Sequence, residues 1–150
     1  MQVRKVINKQ LGELLIERGL INEAQLNKAL LVQKESGGGL IGEILIELGL
    51  VKEEDIAQAL TAQYGFPYLP LSSYDINPET VSIVPSRVAR QYLLIPVDKI
   101  GKNLTLAMSN PLNAQAIEDV ELITGCSVQV FVSTSSDVKR AIEKYYKDKE

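Results

Sequence analysis

The sequence predicts an α+β fold, in which an N-terminal helical bundle of two repeated helix pairs (residues 1–63) precedes a small ββαβα-type subdomain (residues 78–150). Two observations support this fold class. One helical pattern occurs twice in the first half of the chain, thirty residues apart. In the second half, short β-type segments alternate with helical ones, which predicts a three-stranded sheet. Residues 64–77, with several aromatic residues and prolines, are expected to form a linker or a docking strand between the halves.

The repeat is found by shifting the chain by thirty residues, which aligns 11–33 with 41–63. Eleven of the 23 aligned positions are identical and four more are conservative, a match that indicates two copies of one structural unit. The identical pairs are Gly12/Gly42, Glu13/Glu43, Leu15/Leu45, Ile16/Ile46, Glu17/Glu47, Gly19/Gly49, Leu20/Leu50, Glu23/Glu53, Ala29/Ala59, Leu30/Leu60 and Gln33/Gln63.

Each copy is typical of two short helices. Leu11, Leu14 and Leu15 follow the i, i+3, i+4 spacing of an amphipathic helix. Gly19 and Gly49 stand where such a helix ends in a left-handed residue. We therefore expect a helix, a glycine turn and a second helix in each copy.

The second helix of each copy begins differently. Asn22 is a good N-cap and Gln25 completes a capping box, whereas the weaker capping residue Lys52 precedes the fourth helix. Leu30 continues an apolar face that is expected to lie in the core of the bundle. Ser36–Gly39 is expected to be a flexible linker between the copies.

The second half begins with two short helices, predicted over Pro78–Val84 and Ser86–Tyr92 and separated by a proline. Apolar, β-branched segments then predict strands over Leu93–Val97 and Leu104–Met108. A glycine between these strands indicates a hairpin connection.

The remaining elements are a helix, a strand and a helix. Asn110, followed by a proline, predicts the cap of a helix that runs to about Thr124, where a glycine stops it. Ser127–Val132 alternates apolar and polar residues and predicts the third strand. Ser136 is expected to cap a last helix that ends near Tyr146.

The composition excludes several kinds of site. The chain has no histidine, so no imidazole can bind a metal or act as a general base. Its one cysteine, Cys126, cannot form an intramolecular disulfide or a zinc cluster. No G-x-x-x-x-G-K-[ST] motif for a nucleoside triphosphate is present. We therefore expect no catalytic residue and no metal site, and no enzyme activity from these residues alone.

Charge and hydropathy restrict the partners. The net charge of −3 has the wrong sign for a dedicated nucleic-acid binder, and the second helices of the repeats begin with acidic residues that repel phosphate. No DNA partner is expected. No apolar run approaches the ~20 residues of a membrane span, so we expect a cytoplasmic location without direct membrane insertion.

The polar residues of the repeat leave a choice between two interpretations. The paired carboxylates Glu13/Glu43 and Glu17/Glu47 are most simply solvated helix faces. Core packing alone, however, does not explain why Gly12/Gly42 and Gln33/Gln63 also recur. A glycine at the start of a helix lets a ligand approach backbone N–H groups, and a glutamine brings a donor and an acceptor. Two equivalent sets of this kind would suit a ligand that is itself two-fold.

Four segments carry a resemblance to a known family: Gln10–Gln33, its second copy Leu40–Gln63, the passage V-P-S-R-V-A-R-Q-Y-L-L-I-P-V, and L-T-L-A-M-S-N-P followed by I-T-G. In this order they resemble the N-terminal domain of type II secretion and type IV pilus assembly ATPases, over roughly residues 9–147. In that family the domain precedes a hexameric motor ATPase or occurs in stand-alone regulators. In one branch the tandem repeat binds cyclic di-GMP, each 24-residue copy taking one half of the dinucleotide.

The resemblance implies a cyclic di-GMP site at matching positions of both copies and no other cofactor. Gln10 and Leu40 stand where the binding branch usually has arginine. Arginine offers a guanidinium to a guanine edge or a phosphate, whereas glutamine offers only uncharged hydrogen bonds and leucine offers neither. The implied site residues are Gln10, Leu11, Gly12, Leu15, Gly19, Leu20, Gln33, Leu40, Ile41, Gly42, Leu45, Gly49, Leu50 and Gln63.

Two functions follow from the resemblance. The first is a regulatory domain that binds cyclic di-GMP across the repeats and passes the signal to a motor ATPase domain. The second is a nucleotide-independent module that docks the motor to an inner-membrane platform protein. Either would place the chain at the inner membrane through its partners. The residue that opens each copy of the motif is the sequence feature that distinguishes these two functions. The sequence leaves open whether the chain serves type II secretion, type IV pilus assembly or a stand-alone regulator.

Overall fold

The computed structural model describes residues 10–146, and its elements form four repeat helices followed by a mixed α+β unit. The helices in this range are α1 (Leu11–Glu17), α2 (Glu23–Glu35), α3 (Ile41–Glu47), α4 (Glu53–Tyr64), α5 (Pro78–Val81), α6 (Ser86–Tyr92), α7 (Ala114–Thr124) and α8 (Ser135–Tyr145). The strands are β1 (Leu94–Ile100), β2 (Asn103–Met108) and β3 (Ser127–Val132), and Leu71–Ser73 forms a 3-10 turn. The predicted fold class is confirmed.

The two copies of the repeat have the same local geometry. Gly19 and Gly49 both follow the first helix of their copy with φ of 75°, in the left-handed region that glycine adopts without strain. The N–H groups of Leu20 and Leu50 then donate to the carbonyls five residues earlier, at 2.9 and 3.0 Å. The sequence repeat is therefore also a structural repeat.

The start of α2 matches the predicted capping box. The Gln25 N–H donates to the Asn22 side chain at 2.8 Å, and the Gln25 side chain accepts the Asn22 N–H at 2.9 Å. Lys52 makes no side-chain capping bond to α4. The acidic first turn of α4, from Glu53 to Asp55, instead complements the positive end of the helix dipole.

Residues 67–69 extend the sheet, and so form the docking strand that was one of the two expectations for this segment. Within the sheet β1 pairs antiparallel with β2, and β2 pairs parallel with β3. On the other side of β3, Val132 donates its N–H to Pro67 at 2.8 Å and accepts the N–H of Leu69 at 2.9 Å. The chain leaving the repeats is thus attached to the sheet at this point.

Two predicted helix caps were wrong. Asn110 does not cap α7, because its side chain closes a local turn by accepting the N–H of Leu112 at 3.1 Å; Asn113 caps the helix. Thr134, and not Ser136, caps α8 by accepting an N–H of the first turn. Ser136 lies inside the helix, where its hydroxyl binds Glu53.

Three further boundaries differ from the prediction by one to three residues. Helix α5 ends at Val81 and not at Val84; the latter directly precedes a proline, a position that disfavours helical geometry. Strand β1 begins at Leu94, since Leu93 is in the left-handed region with φ of 58° at the end of α6. The strand then continues three residues past its predicted end to Ile100.

The repeats and the α+β unit share packed side chains. Leu112 and Val132 of the α+β unit belong to the hydrophobic cluster of the helical repeats. Leu60 is fully buried in this cluster, and α4 packs against β3. Leu30, its equivalent on α2, was expected in the core but is 43% exposed. The two copies therefore have different neighbours, although their sequences and local geometries match.

No helix within residues 10–146 combines the length and the apolar character needed to cross a lipid bilayer.

Candidate functional site

A pocket of about 450 Å³ lies where the two helix pairs meet the α+β unit. The first residues of both copies and the end of α2 form one side of it. The loop between β2 and α7 and the residues around the start of α8 form the other side. Small-molecule sites usually enclose about 300–1,000 Å³, so this pocket has room for a ligand.

Six of the fourteen predicted site residues line this pocket, which brings the openings of both copies together. These six are Gln10, Leu11, Gln33, Leu40, Ile41 and Gly42. The other eight are not part of its lining; they are Gly12, Leu15, Gly19, Leu20, Leu45, Gly49, Leu50 and Gln63.

The positions of these eight residues follow from the fold of each copy. Leu15 and Leu45 are fully buried in the core of the repeats. Gly19 and Gly49 form the left-handed turns at the ends of α1 and α3. Gln63 is exposed near the end of α4, away from the pocket, although its equivalent Gln33 is in the lining. The implied binding roles of these eight residues stay predictions.

Gly12 and Gly42 allow close packing between helices. A Cβ atom on Gly12 would lie 2.7 Å from the Cδ1 atom of Leu26, closer than a real contact permits. A Cβ atom on Gly42 would lie 3.1 Å from the Cδ2 atom of Leu11 and 3.9 Å from the Cδ1 atom of Ile56. In both copies the glycine thus faces the same repeat position, residue 26 or 56. This packing favours glycine at both positions, and Gly42 also borders the pocket.

Gln33 fixes the connection between the copies. Its Nε2 atom donates to the carbonyl of Gly39 at 2.8 Å, and its own carbonyl accepts the N–H of Gly38 at 2.9 Å. The predicted linker Ser36–Gly39 is therefore hydrogen-bonded back to α2. This bond leaves the Oε1 atom of Gln33 as an acceptor for a ligand.

Two carboxylates of the second copy hold the start of α8. Glu53 accepts the backbone N–H of Ser136 at 2.7 Å and the hydroxyl of the same residue at 2.6 Å. Glu43 accepts the hydroxyl of Ser135 and pairs with the Lys139 Nζ atom at 2.7 Å. The side chain of Glu43 is only 17% exposed, so the prediction of a solvated helix face was wrong for this residue. The Glu43 side chain has little exposure because Ser135 and Lys139 of the α+β unit pack over it.

Sequence reasoning did not find these contacts or the far side of the pocket. Ser109, Asn113, Ser133 and Ser135 line the pocket, but they lie far along the chain from the repeats. No local spacing connects Glu43 with Ser135 across 92 residues. The sequence signal for these contacts was the recurrence of Glu43 and Glu53 in both copies of the repeat. Glutamates on solvated helix faces explain that recurrence equally well.

The part of the lining formed by residues 10–146 is polar but carries no positive charge. Glu43 and Glu53 contribute carboxylates, and glutamine and asparagine side chains contribute amides. No lysine or arginine belongs to the lining formed by residues 10–146. Outside the lining, burial first and then the charges of Asp137, Glu53 and Glu54 raise the pKa of Tyr68. Arg4, Lys5 and Lys9, which could compensate in sequence terms, lie outside the described residues.

No cluster of three or more histidine, cysteine, aspartate or glutamate residues within 10–146 is arranged to hold a metal ion. Cys126, the one cysteine, is buried. The lining formed by residues 10–146 offers a ligand hydrogen bonds, apolar surface and two carboxylates, of which Glu43 is paired with Lys139.

Sequence relatives are assembly ATPases. The MshEN domain family matches residues 64–150. The type IV pilus assembly ATPase PilB of Myxococcus xanthus is 36% identical over 140 residues, covering 93% of this chain and 25% of the relative. PilB of Thermus thermophilus is 32% identical over 148 residues, covering 97% of this chain and 16% of the relative. The chain thus spans a quarter or less of the length of these relatives.

Solved structures match almost the whole chain. The N-terminal domain of XpsE superposes with a TM-score of 0.75 at 28% identity, covering 97% of this chain and 99% of that domain. A structure of MshE with cdg superposes with a TM-score of 0.67 at 29% identity, covering 93% of this chain and 100% of that one. The resemblance that the repeat and the later segments indicated is confirmed, and the chain belongs to the MshEN domain family, which forms the N-terminal domain of PilB-type assembly ATPases.

Proposed function

We propose that this MshEN domain regulates a type IV pilus or type II secretion ATPase by binding cyclic di-GMP in the pocket. The observation that carries the proposal is the convergence of both motif openings, Gln10–Leu11 and Leu40–Gly42, on one pocket that also contains Gln33. The similar protein MshE has a structure with cdg, the abbreviation of cyclic di-GMP, and this likeness supports the same ligand.

The lining suits a purine dinucleotide. Leu11, Ile41 and Ile56 offer apolar contacts to the faces of the bases. Gln10 and Gln33 offer amide groups, which can both donate to and accept from a guanine edge. Carboxylates on the lining can accept the N–H groups of guanine. Because no cation belongs to the described lining, the phosphates are expected to face solvent, and the affinity is expected to be lower than with arginine.

A ligand in this pocket would act on the arrangement of the two units. The pocket is bounded by the repeats on one side and by the α+β unit on the other, beside the contacts of Glu43 and Glu53 with α8. A ligand that contacts both sides favours the arrangement in which they are packed together. The motor domain would receive this change, and the domain itself would carry out no chemistry. We place it on the cytoplasmic side of the inner membrane, held there through partners.

Isothermal titration with cyclic di-GMP tests this proposal. We expect saturable binding of one dinucleotide per chain, weakened at least tenfold by Gln33→Ala. Gln63→Ala is the matched control, because it removes the equivalent residue of the second copy, which lies outside the pocket. Gln10→Ala separates ligand contact from the linker, since Gln33 also binds Gly39. The absence of saturable heat at high micromolar ligand would contradict the proposal.

The alternative function is docking of the motor to an inner-membrane platform protein without a nucleotide. Leu40 in place of arginine and a described lining without lysine or arginine favour this alternative. The same titration separates the two functions. A folded wild-type chain that gives no heat with cyclic di-GMP would favour the docking function.

A further inference from the structure

The second copy of the repeat is covered by the α+β unit through three residues. Glu43 and Glu53 bind the start of α8, through Ser135, Ser136 and the Lys139 side chain. Apolar contact accompanies these polar bonds, because α4 packs against β3 and Leu60 is fully buried.

The first copy has the same three residue types at the equivalent repeat positions, but there the side chains are exposed. Glu13, Glu23 and Leu30 occupy the repeat positions of Glu43, Glu53 and Leu60. Both glutamates of the first copy are exposed, Leu30 is 43% exposed and its neighbour Leu31 is 54% exposed. The only hydrogen bond that Glu13 makes with the described residues is a long one, at 3.4 Å from the N–H of Gln10. The binding side chains are thus repeated, but the element they hold is not.

The equivalence extends to the backbone that positions these side chains. The φ angle of the glycine turn is 75° in each copy. Gly12 faces Leu26 and Gly42 faces Ile56, so the same repeat positions pack across each helix pair. The first copy therefore presents its carboxylates and its leucine from the same framework that holds α8 in the second copy.

We infer that the surface formed by Glu13, Glu23, Leu30 and Leu31, the first-copy face, binds a helix of a partner protein. The partner helix carries serine or threonine in its first turn and a lysine or arginine one turn later, as α8 does with Ser135, Ser136 and Lys139. The carboxylates accept its hydroxyl and N–H groups and pair with its cation, and an apolar residue beside it covers the leucines. This inference does not depend on whether the pocket binds a nucleotide.

The α8 of this chain is already bound to the second copy and does not fill the first-copy face, so we assign the face to a helix of a separate protein. Charge also distinguishes the partner. The first-copy face offers two carboxylates on a chain of net charge −3, so a partner with a positive helix start is attracted and an acidic one is repelled.

A peptide with the sequence of residues 133–146, fluorescein-labelled and hydrocarbon-stapled to keep it helical, is a direct probe. It is titrated into the full chain and followed by fluorescence anisotropy. We expect saturable binding that weakens at least tenfold in the Glu13→Gln/Glu23→Gln variant and at least threefold between 50 and 300 mM salt. A peptide with Lys139→Glu and alanine at both serines of the first turn is expected not to bind.

Matched controls keep the test decisive. Glu47→Gln/Glu118→Gln makes the same change of charge at exposed positions outside the face and is expected to leave binding unchanged. Leu30→Asn removes the apolar part without touching a helix cap and is expected to weaken binding. Circular dichroism melts identify any variant that fails to fold. Absence of binding to the wild-type chain, or equal weakening by the control pair, would overturn the inference.

Discussion

Glu53 accepts both the backbone N–H and the hydroxyl of Ser136, at 2.7 and 2.6 Å, across 83 residues of chain. One carboxylate of the second repeat thus provides the start of α8 with two hydrogen bonds. These bonds orient the α+β unit against α4 and place Ser133 and Ser135 at the pocket.

The substitution Glu53→Ala is expected to lower the free energy of unfolding by about 1–3 kcal/mol, because hydrogen bonds to a charged group are lost. The matched control is Glu23→Ala, the equivalent exposed position of the first copy, which is expected to change stability by no more than about 0.5 kcal/mol. Urea unfolding followed by circular dichroism measures both. Equal effects of the two substitutions would contradict the role of Glu53.

Leucine positions of the two copies provide a second comparison. Leu60→Ala is expected to cost about 3–5 kcal/mol, since the side chain is fully buried and its removal leaves a cavity. Leu30→Ala is expected to cost about 1 kcal/mol or less, because the side chain is already 43% exposed. The midpoints of urea unfolding report the difference. Similar losses in the two variants would show that the copies are equally covered.

Stability is expected to fall at high pH because of Tyr92. The pKa of Tyr92 is raised above 10.0. The largest cause is the hydrogen bond that the Tyr92 hydroxyl donates to Asp119, and burial and the charge of Asp119 follow. The folded chain therefore keeps this proton at a pH where the unfolded chain has lost it, and the free energy of unfolding decreases as pH rises from about 10 through the raised pKa.

The variant Tyr92→Phe tests this pH dependence. Urea unfolding between pH 8 and pH 11 should show a smaller loss of stability above pH 10 than in the wild-type chain. Asp119→Asn is a second variant that removes the charge and keeps the tyrosine. Identical pH profiles for all three proteins would exclude a contribution from this pair.

Position 40 lines the pocket and holds leucine where the binding branch of the family usually has arginine. If cyclic di-GMP binds as proposed, Leu40→Arg is expected to tighten binding about tenfold by adding a charged hydrogen-bond donor for the ligand. Leu30→Arg adds the same charge at an exposed leucine outside the pocket and is the control. Isothermal titration compares the two variants. An equal gain in both would indicate an effect of net charge alone.

Sequence periodicity was sufficient for the elements that depend on local signals. The repeat, the glycine turns at Gly19 and Gly49 and the capping box of Asn22 follow from residues a few positions apart, and the structure has them all. Prediction failed where two local signals competed. Asn110 and Asn113 can both cap a helix, and the proline after Asn110 favours a turn there.

The pocket was only half predictable, for a physical reason. The recurrence of glutamine and glycine pointed to Gln33 and Gly42, and the family resemblance pointed to the other residues at the openings of both copies. The asymmetry of the copies was not predictable. Glu13 and Glu43 are the same residue type at equivalent repeat positions. Glu13 is exposed, whereas Glu43 is largely covered because α8 packs against the second copy.

The short pairing of Pro67–Leu69 with Val132 covers the end of an edge strand. Strand β3 lies at the edge of the sheet, and an open edge offers unpaired N–H and C=O groups to strands of other molecules. The segment leaving α4 occupies this edge at Val132. An isolated subdomain that begins at residue 78 would lose this cover and is expected to self-associate, whereas one that begins at residue 64 keeps it.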